Sequence, residues 1–200
     1  MPLVRVDMSP STGPIPREVR AYLREAERRI EQFQQDRLIP AFVSCDFERT
    51  YRVLAALAES AIAPGSLFCE WGCGFGVVTC LAAMLDFDAR GIEIETDLVE
   101  AAQQLAEDFG VPAEFVCGSF IPPGSADCLE LSGDFAWLST EEQKVDETDL
   151  GAADFDVIFA YPWPDEEHVL ANIFERHAAP GALLVTYHGG DEFWLRRKKR

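Results

Sequence analysis

Residues 67–79, reading L-F-C-E-W-G-C-G-F-G-V-V-T, constrain this 200-residue chain more than any other stretch. An apolar run leads to Glu70, glycines fall at Gly72, Gly74 and Gly76, and apolar residues then resume. That order predicts a strand, a tight loop and a helix. A loop lacking Cβ atoms can adopt positive φ and lets a ligand lie against its backbone, while the first turn of the next helix offers free N–H groups. The dinucleotide fingerprint G-x-G-x-x-G would need its third glycine at position 77, where Val77 stands. That spacing disfavours a nicotinamide-dependent oxidoreductase.

The rest of the chain repeats the strand and helix alternation. A helix is expected from Pro16, with Val19, Tyr22, Leu23, Ala26, Ile30 and Phe33 at helical spacing, and a second one behind the cap Asp46. After the glycine loop come a short buried helix at 77–85, a strand at 89–94 and a helix that Thr96 caps and Gly110 ends. Strands follow at 113–117, 155–159 and 183–187, with a helix capped by Asp165 between the last two. This alternation predicts an α/β fold with an open, mostly parallel Rossmann-like sheet and helices on both faces. Residues 121–153 carry only weak signals: a capping pattern from Ser139 to Glu142 and an acidic run at 141–149.

The E-x-G-x-G-x-G pattern at Glu70, Gly72, Gly74 and Gly76 resembles the first motif of the class I S-adenosylmethionine-dependent methyltransferases. Glu93 stands 21 positions after Gly72, near where α/β nucleotide folds place the acid that accepts ribose hydroxyls, and is preferred to its neighbours Glu95 and Asp97. The resemblance spans about residues 42–188 and implies S-adenosyl-L-methionine as cofactor and strand order 3-2-1-4-5. It implies that Glu70 helps hold the methionyl end, that the glycines admit the ribose and amino-acid portions, and that Ser119 and Phe120 flank the adenine. Ser119 stands where the family usually has an acid. The family commonly adds an antiparallel terminal hairpin, for which residues 188–200 are too few. The sheet is therefore expected to be curtailed, with a partner subunit as one candidate to cover its edge. The expected organisation is a lead-in and helix over 1–40, the methyltransferase-like domain over 41–195 and a basic tail over 196–200.

Tyr161-Pro162-Trp163-Pro164 leaves the fourth strand at its carboxyl end, the edge where open α/β sheets bind ligands. Prolines stiffen that loop and Tyr161, Pro162 and Trp163 are the candidates to line the substrate; no catalytic residue is named. Amine-methylating relatives often place Asp or Asn there, and tRNA guanine-N7 methyltransferases a D-P-W-P segment; Ala160 and Tyr161 match neither acid. His188, ending the fifth strand, is better placed than His168 or His177.

Charge bears on the acceptor. The whole chain has a net charge of −18, and residues 41–195 hold five basic against 29 acidic residues. Such a body repels phosphate backbones, so a protein side chain or small molecule is the expected acceptor and nucleic acid is disfavoured. The alternatives are a non-catalytic subunit keeping the fold, and an RNA enzyme using the basic tail. The six cysteines form no C-x-x-C pair and have no histidines at zinc spacing, so a reducing, cytoplasmic setting without a metal is expected. No apolar stretch is long enough to predict a membrane span or signal peptide.

Overall fold

The computed structural model of the chain describes residues 3–37, 39, 42–122, 125, 128 and 151–199. The strands are β1 (Leu3–Arg5), β2 (Leu67–Trp71), β3 (Asp88–Glu93), β4 (Glu114–Cys117), β5 (Val157–Ala160), β6 (Leu183–Tyr187) and β7 (Phe193–Lys198). Among the described residues the helices of more than one turn are α1 (Arg17–Asp36), α2 (Phe47–Glu59), α3 (Val77–Ala83), α4 (Thr96–Phe109) and α5 (Glu167–His177). Much of segment 121–153, with its capping pattern and acidic run, lies outside the described residues.

A seven-stranded sheet runs in the order β1-β7-β6-β5-β2-β3-β4. Its parallel part, β4-β3-β2-β5-β6, is the expected 3-2-1-4-5 arrangement. β5 and β6 are buried along their whole length, as continuous apolar strands covered on both faces must be. Phe68, Val157, Phe159, Leu183 and Val185 pack into one core with α1, α2, α3 and α4. Cys69, Ile158, Ala160 and Leu184 face the other way, against Val169, Leu170, Ile173 and Phe174 of α5. The strand ends that carry Glu70, Glu93 and Ala160 therefore share one edge.

The sheet is not curtailed. β7 pairs antiparallel with β6, and the second antiparallel strand comes from the other end of the chain, where β1 pairs with β7. Residues 196–198 are thus ladder residues, not part of a basic tail, and the lead-in begins with a strand. Their charges are used internally: Arg197 Nη2 donates to the Ile62 carbonyl at 2.6 Å, and buried Lys198 donates its Nζ to the Ala178 carbonyl at 2.5 Å. The reason for placing a partner subunit over a missing edge is gone.

Asp46 caps α2 as expected, accepting from Arg49 N, and Gly110 ends α4 at φ +62°. Two expected caps are corrected. Thr96 is the first residue of α4 behind Glu95, which makes no side-chain cap bond. Asp165 sits at φ +73° in a turn, and α5 starts two residues later behind Glu166. Among the described residues no helix is long and apolar enough to cross a membrane. Deleting residues 196–200 should lower the unfolding free energy by about 2 kcal/mol or more, because it removes half of β7 and the Lys198 anchor. Urea denaturation reads this, and an unchanged midpoint would mean those residues are a detachable tail.

Candidate functional site

The glycine loop is tied down at both ends before any ligand is considered. Gly72 N and Cys73 N both donate to the Ile92 carbonyl, at 2.9 and 3.0 Å, and Gly76 N donates to the Cys73 carbonyl at 2.8 Å. The glycines do different things. A Cβ on Gly76, at φ +67°, would overlap the Phe115 ring and Ala102, so packing excludes a side chain there. Gly72, at φ +71°, would meet nothing within 4 Å, and it leaves its backbone open to the cavity.

Glu70 is buried at the end of β2, where its Oε2 accepts from Thr79 N at 2.8 Å and Thr79 Oγ1 at 2.6 Å. Gly76 precedes α3 without a side chain to cap it, and Glu70 satisfies one of the helix's open N–H groups from the neighbouring strand. Burial pushes the Glu70 carboxyl up to about 8, against the two Thr79 hydrogen bonds, with the nearby Glu93 charge adding to the rise. Glu93 is also buried, at the end of β3. Its Oε2 accepts from Gly74 N at 2.9 Å and its Oε1 from Ile94 N and Glu95 N at 2.8 and 3.0 Å. Burial raises its pKa and those backbone donors oppose the rise. A carboxylate has about four acceptor positions, so about one remains for an incoming hydroxyl.

These groups open onto a cavity of about 630 Å³. It brings together every residue picked out from the sequence: Glu70, Gly72, Gly74, Glu93, Ser119, Phe120, Tyr161, Pro162 and Trp163, with Gly76 the exception as a buried packing residue. Ser119 Oγ accepts from Ile121 N at 3.2 Å, and Phe120 stacks on Trp71 at 5.1 Å with planes 8° apart. Tyr161 is exposed and leans on Tyr187 at 4.8 Å. Sequence reasoning did not single out Phe42, Phe47, Trp71 or Glu166, which also line the cavity. Phe42 belongs to the connector between α1 and α2 and stacks on Phe75, a contact that only the fold creates. His188 does not line the cavity. It is bound to Thr186 Oγ1 at 2.8 Å and packs on Trp194 at 4.0 Å, with its pKa lowered by burial. His177 Nε2 lies 2.8 Å from Ser125 Oγ, and no metal-binding cluster occurs among the described residues.

The chain matches no family model and no curated protein sequence. Solved structures resemble its fold. An RNA methyltransferase from Salinibacter ruber, in complex with S-adenosyl-L-homocysteine, is 20% identical over 78% of this chain and 92% of that one, at a TM-score of 0.53. A methyltransferase from Geobacter sulfurreducens is 18% identical over 92% and 98%, at 0.53. An O-methyltransferase from Bacillus cereus, also in complex with that product, is 14% identical over 88% and 67%, at 0.54. The fold is the Rossmann-like architecture of the class I methyltransferases.

Glu70 makes stability depend on pH. Its folded pKa of about 8 lies above the ordinary 4.5, so its contribution is fully present below pH 4.5 and is lost as pH rises to 8. Glu70→Gln keeps an oxygen for Thr79 and removes the titration. Its stability relative to the native protein should improve by on the order of 4 kcal/mol between pH 4.5 and 8.5. Denaturant melts at both pH values check this, and a difference independent of pH would contradict it.

Proposed function

We propose that the chain is an S-adenosylmethionine-dependent methyltransferase acting on a protein side chain or a small molecule. The observation that supports this reading is the common cavity, lined by Glu70, Gly72, Gly74 and Glu93 and also by Tyr161, Pro162 and Trp163. The cavity's residues fit the cofactor. Gly72 leaves open space beside its backbone, Glu93 has an acceptor position for a ribose hydroxyl, and the Phe120 and Trp71 pair offers a flat apolar surface for adenine. Glu70 provides a buried carboxyl near the loop for the methionyl end. When bound, the cofactor supplies an electrophilic methyl group on a sulfonium. The chain's part is to position a lone pair in line with it, and the proline-stiffened loop after β5 suits that task.

The acceptor reading rests on charge. Lys198 and Arg197 are committed inside the sheet edge, and Arg196 packs over Trp194 at 5.6 Å, so little of the basic cluster is left to grip phosphates. The similar structures act on different acceptors by their descriptions, RNA in one and an oxygen in another, and support no choice.

Calorimetry should detect S-adenosyl-L-homocysteine and not NADH, and Glu93→Ala should weaken the former ten- to a hundredfold, for a charge-assisted contact of about 1.5–3 kcal/mol. Saturable NADH binding alone would sink the assignment, and loss on Glu95→Ala with Glu93→Ala silent would move the ribose site. A labelled-methyl assay over RNA, DNA, protein and metabolite fractions tests the acceptor. Transfer confined to RNA would overturn that half of the reading, and no transfer despite tight product binding would leave a non-catalytic subunit.

A further inference from the structure

The two oxygens of the buried Glu70 carboxyl are used unequally. Both hydrogen bonds from Thr79 end on Oε2, and among the described residues no donor reaches Oε1. Glu70 is 6% exposed and lines the cavity, so Oε1 is the oxygen left for an incoming donor. Keeping such a group ionised out of water is costly while that place stays empty.

The described titratable groups facing this carboxyl include no cation. They are Glu93 of β3, Tyr22 of α1, Cys69 of β2, Cys73 in the glycine loop, Cys80 of α3 and Cys45 in the connector before α2. Burial raises the pKa of the phenol and of all four thiols, which keeps them neutral near pH 7, and the Glu93 charge opposes a second negative one. With its own pKa pushed up to about 8, Glu70 carries a proton near pH 7. That proton sits on Oε1, because Oε2 already accepts from two donors. An opposite charge within ~4–6 Å lowers a carboxyl pKa by about 1–3 units. A cation brought to Oε1 therefore ionises Glu70, and an uncharged group does not.

Given the methyltransferase reading above, with the methionyl end at Glu70, we propose that Glu70 selects that end by a proton exchange. The Oε1–H bond breaks as the ligand's α-ammonium arrives, the proton leaves to water, and the carboxylate accepts an N–H bond from the ammonium. The ligand keeps its own protons, so one cation is bound and one proton is released. A nucleoside that ends in an uncharged thioether meets the protonated carboxyl and displaces nothing. Affinity for the ammonium-bearing nucleoside then rises with pH through the neutral range, because the bound form holds fewer protons than the free one.

Calorimetry at pH 7 in two buffers of different ionisation enthalpy counts the protons exchanged on binding, with S-adenosyl-L-homocysteine and 5′-methylthioadenosine as the probes. Both carry the adenosine that Glu93 is expected to hold, and only the first has the α-ammonium. S-adenosyl-L-homocysteine should release at least about half a proton per molecule bound, and 5′-methylthioadenosine close to none. The affinity of the first relative to the second should rise at least about fivefold from pH 6 to pH 7.5. Glu70→Gln keeps an oxygen for Thr79 and has no proton to give. It should abolish both effects, and weaken S-adenosyl-L-homocysteine at pH 7 by about fivefold or more while leaving 5′-methylthioadenosine within about twofold. Equal proton counts for the two probes, or a difference that persists in Glu70→Gln, would overturn the proposal and leave the methyltransferase reading in place. Should that variant lose its fold, the two probes on the native protein decide alone. Binding of neither nucleoside would overturn the methyltransferase reading, and the proton exchange with it.

Discussion

The two hydrogen bonds from Thr79 to the buried carboxyl of Glu70 hold together the part of the molecule on which the rest is arranged. They join the end of β2 to the first turn of α3, so the five residues between must turn within a fixed span. That requirement explains the left-handed values at Gly72, Gly74 and Gly76. The loop then rests on β3 through the Ile92 carbonyl, and Glu93 closes it from the same strand by accepting from Gly74 N. Removing the acid without replacing its oxygen would leave Thr79 N unsatisfied in the interior, at a cost of about 1–3 kcal/mol.

A second constraint is the price of acidity in an enclosed space. Burial raises the pKa of Glu70 and Glu93, the Glu93 charge adds to the rise at Glu70, and backbone and hydroxyl donors aimed at both carboxyls oppose it. Among the described residues that line the cavity, Glu166 adds a further carboxyl, and none is Lys, Arg or His.

The sequence made the centre of the fold legible because apolar runs punctuated by glycine and proline are short-range signals, and Glu93 could be placed by its spacing from Gly72. The antiparallel edge could not be read in the same way. The alternation in Phe193-Trp194-Leu195 passes straight into five cations that look like a tail, and β1 is three residues long, below the length at which a period shows. Glu166 was illegible for a related reason: beside Asp165 and Glu167 it reads as part of a solvated face. Its burial follows from the positive φ at Asp165, which delays the helix and turns the side chain back onto Trp163. Phe42 stacks on Phe75, and Phe47 opens α2, which packs against α3; both are long-range contacts with no local signature.

A crystal structure of the protein grown with S-adenosyl-L-homocysteine tests the account most directly. It should show the ribose hydroxyls within about 3 Å of the Glu93 carboxylate, the nucleoside against the backbone at Gly72, and the sulfur facing Tyr161 and Trp163. A ligand bound elsewhere, or lying in the cavity with its ribose away from Glu93, would contradict it.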